Sequence, residues 1–300
     1  MPISTKLFNE QAVARFNSLT ADIQNTQGRI ATGKNILRAS DDPVAAANIS
    51  FTREQKVMLE RFNTNIDRAR IRLNVTENVV ADTTNVLTRA YELALQARND
   101  TLSVGDRRAI AKEVTQLKNT VMSLANSRDA SGNYLFSGFK LNQTPFRADE
   151  NGTIQYKGDS GAHSVQVSED LRLRTGVDGA TIFLRVPTQT GGKDVFAILE
   201  YLESNLKSGI ADDMSIEDLD ASIQHFSIQQ ARVGAELNKA DLQQAALEKR
   251  ILLMDENLSN LEDADLAALV TELQSKIVSR DAAQQAFVKI GQQSLFDYIR

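Results

Sequence analysis

The chain has 300 residues, 42% of them apolar and 6% aromatic, with four prolines, no Trp and no Cys. A formal charge of −5 speaks against an electrostatic grip on nucleic acid or anionic lipid, and the missing Cys excludes disulfides, thiolate chemistry and cysteine metal sites. Few breakers and few aromatics call for long helices held by Leu, Ile, Val and Ala seams.

No apolar run approaches the ~18 residues of a membrane span. The N-terminal stretch MPISTKLFNEQAVARFN has no apolar h-region and no Sec-type cleavage site, so any export is expected to use another route. Nine of the 15 glycines lie between Gly132 and Gly192, so turns are expected in the middle and unbroken helix in the outer thirds.

The first helix is expected from about Thr5 to Ala31. Phe16, Leu19, Ile23, Thr26 and Ile30 alternate spacings of three and four, a coiled-coil seam that Gly33 interrupts. Asp42 can cap the next helix, with Pro43 at its first position. Its seam runs Leu59, Phe62, Ile66, Ala69, Leu73, Thr76, Val80, Thr83, Leu87, Ala90 and Ala94. Ser103 with Asp106 reads as a capping box before a third helix carrying Ile110, Val114, Leu117, Val121 and Leu124.

The middle changes period. Glu150-Asn151-Gly152 is expected to turn a hairpin between PFRA and TIQYK, SVQVSEDLRLRT alternates, and ATIFLRV reads as a further strand. About five short antiparallel strands are expected between Pro145 and Val186. Ser215 and Asp218 read as another capping box. A strict seam follows: Ile216, Leu219, Ile223, Phe226, Gln230, Val233, Leu237, Ala240, Gln244, Leu247, Ile251, Met254, Leu258 and Leu261. Such a helix spans roughly 70 Å, and Gln230 and Gln244 are polar positions suited to pinning register. The phase breaks at Glu262–Asp265, then resumes as Leu266, Leu269, Leu273 and Ile277.

No catalytic constellation emerges. The two histidines, His163 and His225, lie apart, and no nucleotide-binding, nucleophile-elbow, zinc-protease or calcium-loop motif occurs. Asp41/Asp42 and Asp212/Asp213 stand at expected helix starts, where carboxylates favour the dipole. The expectation is a structural protein, not an enzyme, with no metal and no cofactor. Its fold class is mainly α: a long antiparallel coiled-coil helical rod from both termini with a small inserted antiparallel β domain. Both terminal segments carry apolar residues but look marginal as lone helices, so they are expected to order only by packing on each other and on neighbours.

Three segments resemble the flagellin family. ATGKNILRASDDPVAAANIS places Gly33, Ser40, Asp41, Asp42 and Ala45 as that family does where the terminal helix joins the rod. LTRAYELALQARNDT is similar to the flagellin rod segment through Arg89, Glu92 and Leu93. LEDADLAALVTELQSKIVSRDAAQQAF, with Glu262, Asp263 and Asp265 at its entry, resembles the flagellin C-terminal helix. NYLFSGFKLNQTPF and the tail SLFDYIR are similar instead to the hook–filament junction branch of the family.

That resemblance implies a self-assembling, secreted component of the bacterial flagellum, exported by its type III apparatus and serving motility. It implies a homo-oligomeric ring with the first hook-associated protein on the hook side and flagellin on the filament side. It also implies a flagellar export chaperone before secretion, and neither nucleic acid nor membrane insertion. The expected domains are 1–40 plus 265–300 as a terminal assembly coiled coil, 41–140 plus 195–264 as a rod, and 141–194 as an outer β domain. The expected assembly face comprises Phe8, Phe16, Leu19, Ile23, Ile30, Leu266, Leu269, Leu273, Ile277, Phe287, Ile290, Leu295, Phe296 and Tyr298. The rival expectation is a short flagellin that forms the filament itself.

Overall fold

The computed structural model describes residues 2–149 and 153–292, with side chains described for 6–149 and 153–289. Six α-helices account for most of it: α1 (Pro2–Thr32), α2 (Pro43–Ala97), α3 (Val104–Ala125), α4 (Val195–Lys207), α5 (Asp213–Glu262) and α6 (Leu266–Gln292). Contacts divide the chain into two units, Met1–Met58 with Arg250–Arg300, and Leu59–Lys249.

In the larger unit the seam of α2 is buried at every expected position from Leu59 to Ala94. Thr76 and Thr83 are tolerated there because each hydroxyl donates to the carbonyl four residues back. α5 runs antiparallel to α2. Gln244 donates to Asp67 and accepts from Arg70, Arg70 pairs with Asp241 at 2.9 Å, and Glu77 lies beside Gly234. Gln244 thus meets two polar side chains of α2, one for each end of its amide. All fourteen expected seam positions of α5 are buried or half-buried.

α3 starts where expected: the Ser103 hydroxyl accepts from Asp106 N at 3.2 Å, and Asp106 Oδ2 accepts from Ser103 N at 3.0 Å. At α5 the expected box is not the cap. Ser215 and Asp218 lie inside the helix and are buried, and Asp212 accepts the Ser215 hydroxyl instead.

The middle region forms three separate antiparallel pairs: β1 (Phe146–Ala148) with β2 (Ile154–Tyr156), β3 (Ser164–Gln166) with β4 (Arg172–Arg174), and β5 (Val186–Thr188) with β6 (Gly191–Lys193). The expected turn residues 150–152 lie outside the described residues. ATIFLRV is not one strand: Ala180–Leu184 form a π-helical turn before β5. Asp178 explains the turn by accepting from Ala180 N and from the Thr181 hydroxyl. Ile182 and Phe183 are both fully buried, which successive residues of a one-sided strand cannot be.

The core peaks in an aromatic cluster. Phe183 packs against Phe136, Phe146 and Phe226 at centroid distances of 5.2, 5.2 and 5.4 Å. Arg72 anchors the loops beside it, pairing with Asp129 and donating to the Thr175 carbonyl at 3.2 Å.

Candidate assembly surface

The smaller unit is built from both ends of the sequence, and α1 packs on α6. Ile23 is buried, and Phe16, Leu19 and Ile30 are half-buried. On α6, Leu269 is buried, Leu273, Ile277 and Phe287 are half-buried, and Leu266 is exposed. Phe16 meets the Phe287 ring edge-on at 5.8 Å. Lys276 Nζ donates to the buried Thr26 hydroxyl at 3.0 Å while pairing with Glu272 at 2.6 Å. The side chain of Ile290 is outside the described set, and Leu295, Phe296 and Tyr298 lie outside the described residues.

Apolar surface is left over. Among the described residues, more than half of the large apolar side chains left exposed lie in this unit, which holds little over a third of the chain. They include Leu7, Phe8 and Val13 on α1, Val44, Phe51 and Val57 on α2, Leu252 and Leu253 on α5, and Val270, Val278 and Val288 on α6. Sequence reading followed the seams and missed most of these. Val44 and Phe51 stand one heptad apart, outside the seam that begins at Leu59, and that spacing is the available signal. This concentration of exposed apolar side chains makes the unit the candidate assembly surface.

The family-motif residues separate into three places. Gly33 ends α1 with φ +68, a left-handed conformation suited to glycine. Asp41 Oδ2 accepts from Leu37 N and Arg38 N, and Asp42 Oδ1 caps α2 through Val44 N at 3.0 Å and Ala45 N at 2.9 Å. Ser40 is exposed and Ala45 half-buried. Glu262 is buried, Asp263 pairs with Ser259, and Asp265 caps α6 by accepting from Ala268 N at 3.0 Å. In the larger unit Arg89 bonds Glu113 at 2.9 Å and Glu92 at 3.1 Å on the surface, while Leu93 faces the core.

His225 is structural in its surroundings: its Nε2 lies 3.1 and 3.0 Å from the carbonyls of Thr181 and Ile182, and burial pushes its pKa down. His163 packs edge-on against Phe139 at 5.0 Å. Among the described residues no group of three or more His, Cys, Asp or Glu side chains is placed to hold a metal, and no helix is long and apolar enough to cross a membrane.

Residues 3–140 match the model of the bacterial flagellin N-terminal helical region. This chain is flagellin-like. It is 24% identical over 316 residues to flagellar hook-associated protein 3 of Escherichia coli K12, spanning 99% of each chain. To the protein of that name in Salmonella typhimurium it is 25% identical over 320 residues, spanning 100% of both. A flagellar filament 30.7 kDa core protein of Treponema maltophilum is 29% identical over 255 residues, 83% of this chain and 82% of that one. Among solved structures, the flagellin-like chain matches hook-associated protein 3 of Legionella pneumophila with a TM-score of 0.67 and 18% identity, over 71% of this chain and 98% of that one. That likeness is one of fold: a helical rod with a small β region.

Proposed function

We propose that this flagellin-like chain is a structural, non-enzymatic subunit of the extracellular bacterial flagellum that forms the hook–filament junction by self-assembly of its terminal helices. The observation that carries the reading is the apolar surface left open on the unit built from both chain ends. The end-to-end match to hook-associated protein 3 in two bacteria supports the position in the flagellum. In this reading residues 1–40 and 265–300 form the assembly domain, 41–140 and 195–264 the rod, and 141–194 the outer β domain. The partners are sister subunits in a ring, the first hook-associated protein, flagellin, and an export chaperone before secretion.

The mechanism is burial. Apolar area covered by neighbours contributes ~25 cal/mol per Å², set against on the order of 1–2 kcal/mol for each residue ordered. Growth is therefore favoured at the tip, where neighbours already stand.

A chain lacking residues 265–300 is expected to keep its larger unit folded by circular dichroism, yet fail to restore junctions or motility in cells lacking this protein. Restored junctions would overturn the proposal. Long filaments grown from purified protein alone would favour the filament-flagellin reading instead.

A further inference from the structure

Two seams of the larger unit face outward. On α5, Ile228, Ala231, Ala235, Asn238, Leu242 and Ala245 alternate spacings of three and four, and all are exposed, Ile228 at 55% and Leu242 at 75%. On α2, Ile71, Asn74, Asn78, Ala81, Asn85 and Thr88 repeat the same spacings; Ala81 is half-buried and the rest are exposed. Each outward seam stands two residues, about 200° around its helix, from the buried one: Ile228 from Phe226, Ile71 from Leu73. No position in either seam is charged. A helix face turned to water normally carries charge, whereas the centre of an interface is depleted of it. The heptad spacing specifies a helix as the covering element, and the small side chains of Ala231, Ala235 and Ala245 let it approach closely.

The two seams also share a height. Arg70 pairs with Asp241 at 2.9 Å and Glu77 lies beside Gly234. In that antiparallel order Ile71 stands level with Leu242, and Asn85 with Ile228, each within a helical turn. Beside the middle of each seam is an exposed charge with no ionic partner among the described residues: Asp82 on α2 and, on α5, Arg232, which has only Gln229 at 3.4 Å. Their signs are opposite, and they too are level within a turn. We propose that the α5 seam of one copy packs on the α2 seam of the next copy at the same height, an inference that rests on the ring reading above. The seams lie on different helices of one chain, and both turn away from its core. Each copy therefore offers one seam to the neighbour on either side, a heterologous contact that repeats until the ring closes. Asp82 of one copy then meets Arg232 of the next. Two α5 seams packed on each other would also cover Ile228 and Leu242, but such a contact stops at a dimer and leaves the α2 seam bare.

The chain has no Cys, so Ile71→Cys and Leu242→Cys each supply a single thiol, at exposed positions that leave the core intact. Cells lacking the native copy express both full-length variants together. Their isolated flagella are treated with a short bismaleimide, and the digest is read by mass spectrometry. A peptide linking residues 71 and 242 can come only from two different chains, and it is expected to be the dominant cross-link. A dominant link between two residues 242 would reveal paired α5 seams and overturn the proposal. Flagella that contain the chain but yield no link between 71 and 242 would show that some other protein covers the seams; that result overturns the proposal and leaves the place in the flagellum standing. Absence of the chain from the flagella overturns both.

Discussion

Phe287 stacks on Phe8, with ring centroids 5.9 Å apart and planes 16° from parallel. Phe16 adds an edge contact to the same ring, so one aromatic of α6 is held by two of α1. A carboxylate cannot replace it there. Phe287→Asp is expected to remove about 1–3 kcal/mol of aromatic pairing and to stop the subunit joining the junction. The larger unit should keep its melting transition, since none of these rings belongs to it. Circular dichroism of the isolated variant together with cell motility checks both halves, and collapse of the rod helices would contradict the prediction.

The seams were readable because a 3.5-residue period over many heptads has one physical solution, and its interruptions at Gly33 and Glu262–Asp265 fall where α1 and α5 end. Other features depend on partners distant in sequence. Ser215, Asp218, Ser222, His225 and Gln229 form a second buried stripe on α5, yet polar residues at helical spacing read as a solvent face. Asp218 is buried because it meets Lys193, and His225 because it meets the carbonyls of the π-helical turn. Helix α4 was passed over although Asp194 caps it by accepting from Phe196 N at 2.8 Å; its shortness beside turn-rich sequence hid it. Of the smaller unit's apolar residues, the inward ones were legible, while of the exposed ones only Phe8 and Leu266 were singled out. Nor did charge pattern alone pair Lys34 and Arg53 with Glu262.

Gly138 has φ +69, and a Cβ there would run into both the side chain and the carbonyl of Asp159. Asp159 Oδ1 cannot retreat freely, because it accepts from Phe139 N at 2.9 Å and Gly161 N at 2.8 Å. Gly138→Ala is therefore expected to cost about 3 kcal/mol through backbone strain and clash. Urea denaturation of the purified chain measures it; an unchanged midpoint would show that the loop has another conformation available.

Glu203 is buried on α4 between Lys118 at 2.8 Å and Lys207 at 2.5 Å, and also accepts from the Thr115 hydroxyl at 2.9 Å. Burial opposes its charge, but the bonds to Lys118, Lys207 and Thr115 prevail and bring its pKa down to about 2. A carboxylate depressed in the fold contributes stability above its ordinary range, and that contribution is lost as pH falls towards 2. Glu203→Gln is expected to cost about 3 kcal/mol at pH 7, because two lysines lose their partner. The deficit should shrink between pH 4 and pH 2. A deficit constant across that window in denaturant titrations would show that packing, rather than charge, is what the substitution disturbs.

Asp194 has the opposite sign. It caps α4, but burial pushes its carboxyl up to about 6, against the lowering effect of the bonds from Phe196 N and Ala197 N. The folded state therefore holds this proton more tightly than the unfolded chain does. Its contribution to stability is present below the ordinary carboxylate range and is lost as pH rises through about 6. Asp194→Asn keeps an oxygen to accept the capping bonds and removes the charge that burial penalises. The variant should be more stable than the wild type at pH 7.5 by about 2 kcal/mol, with a flatter stability profile between pH 4 and pH 6. Thermal unfolding at several pH values decides the matter. A variant less stable at pH 7.5 would mean that the negative charge at the start of α4 outweighs its desolvation.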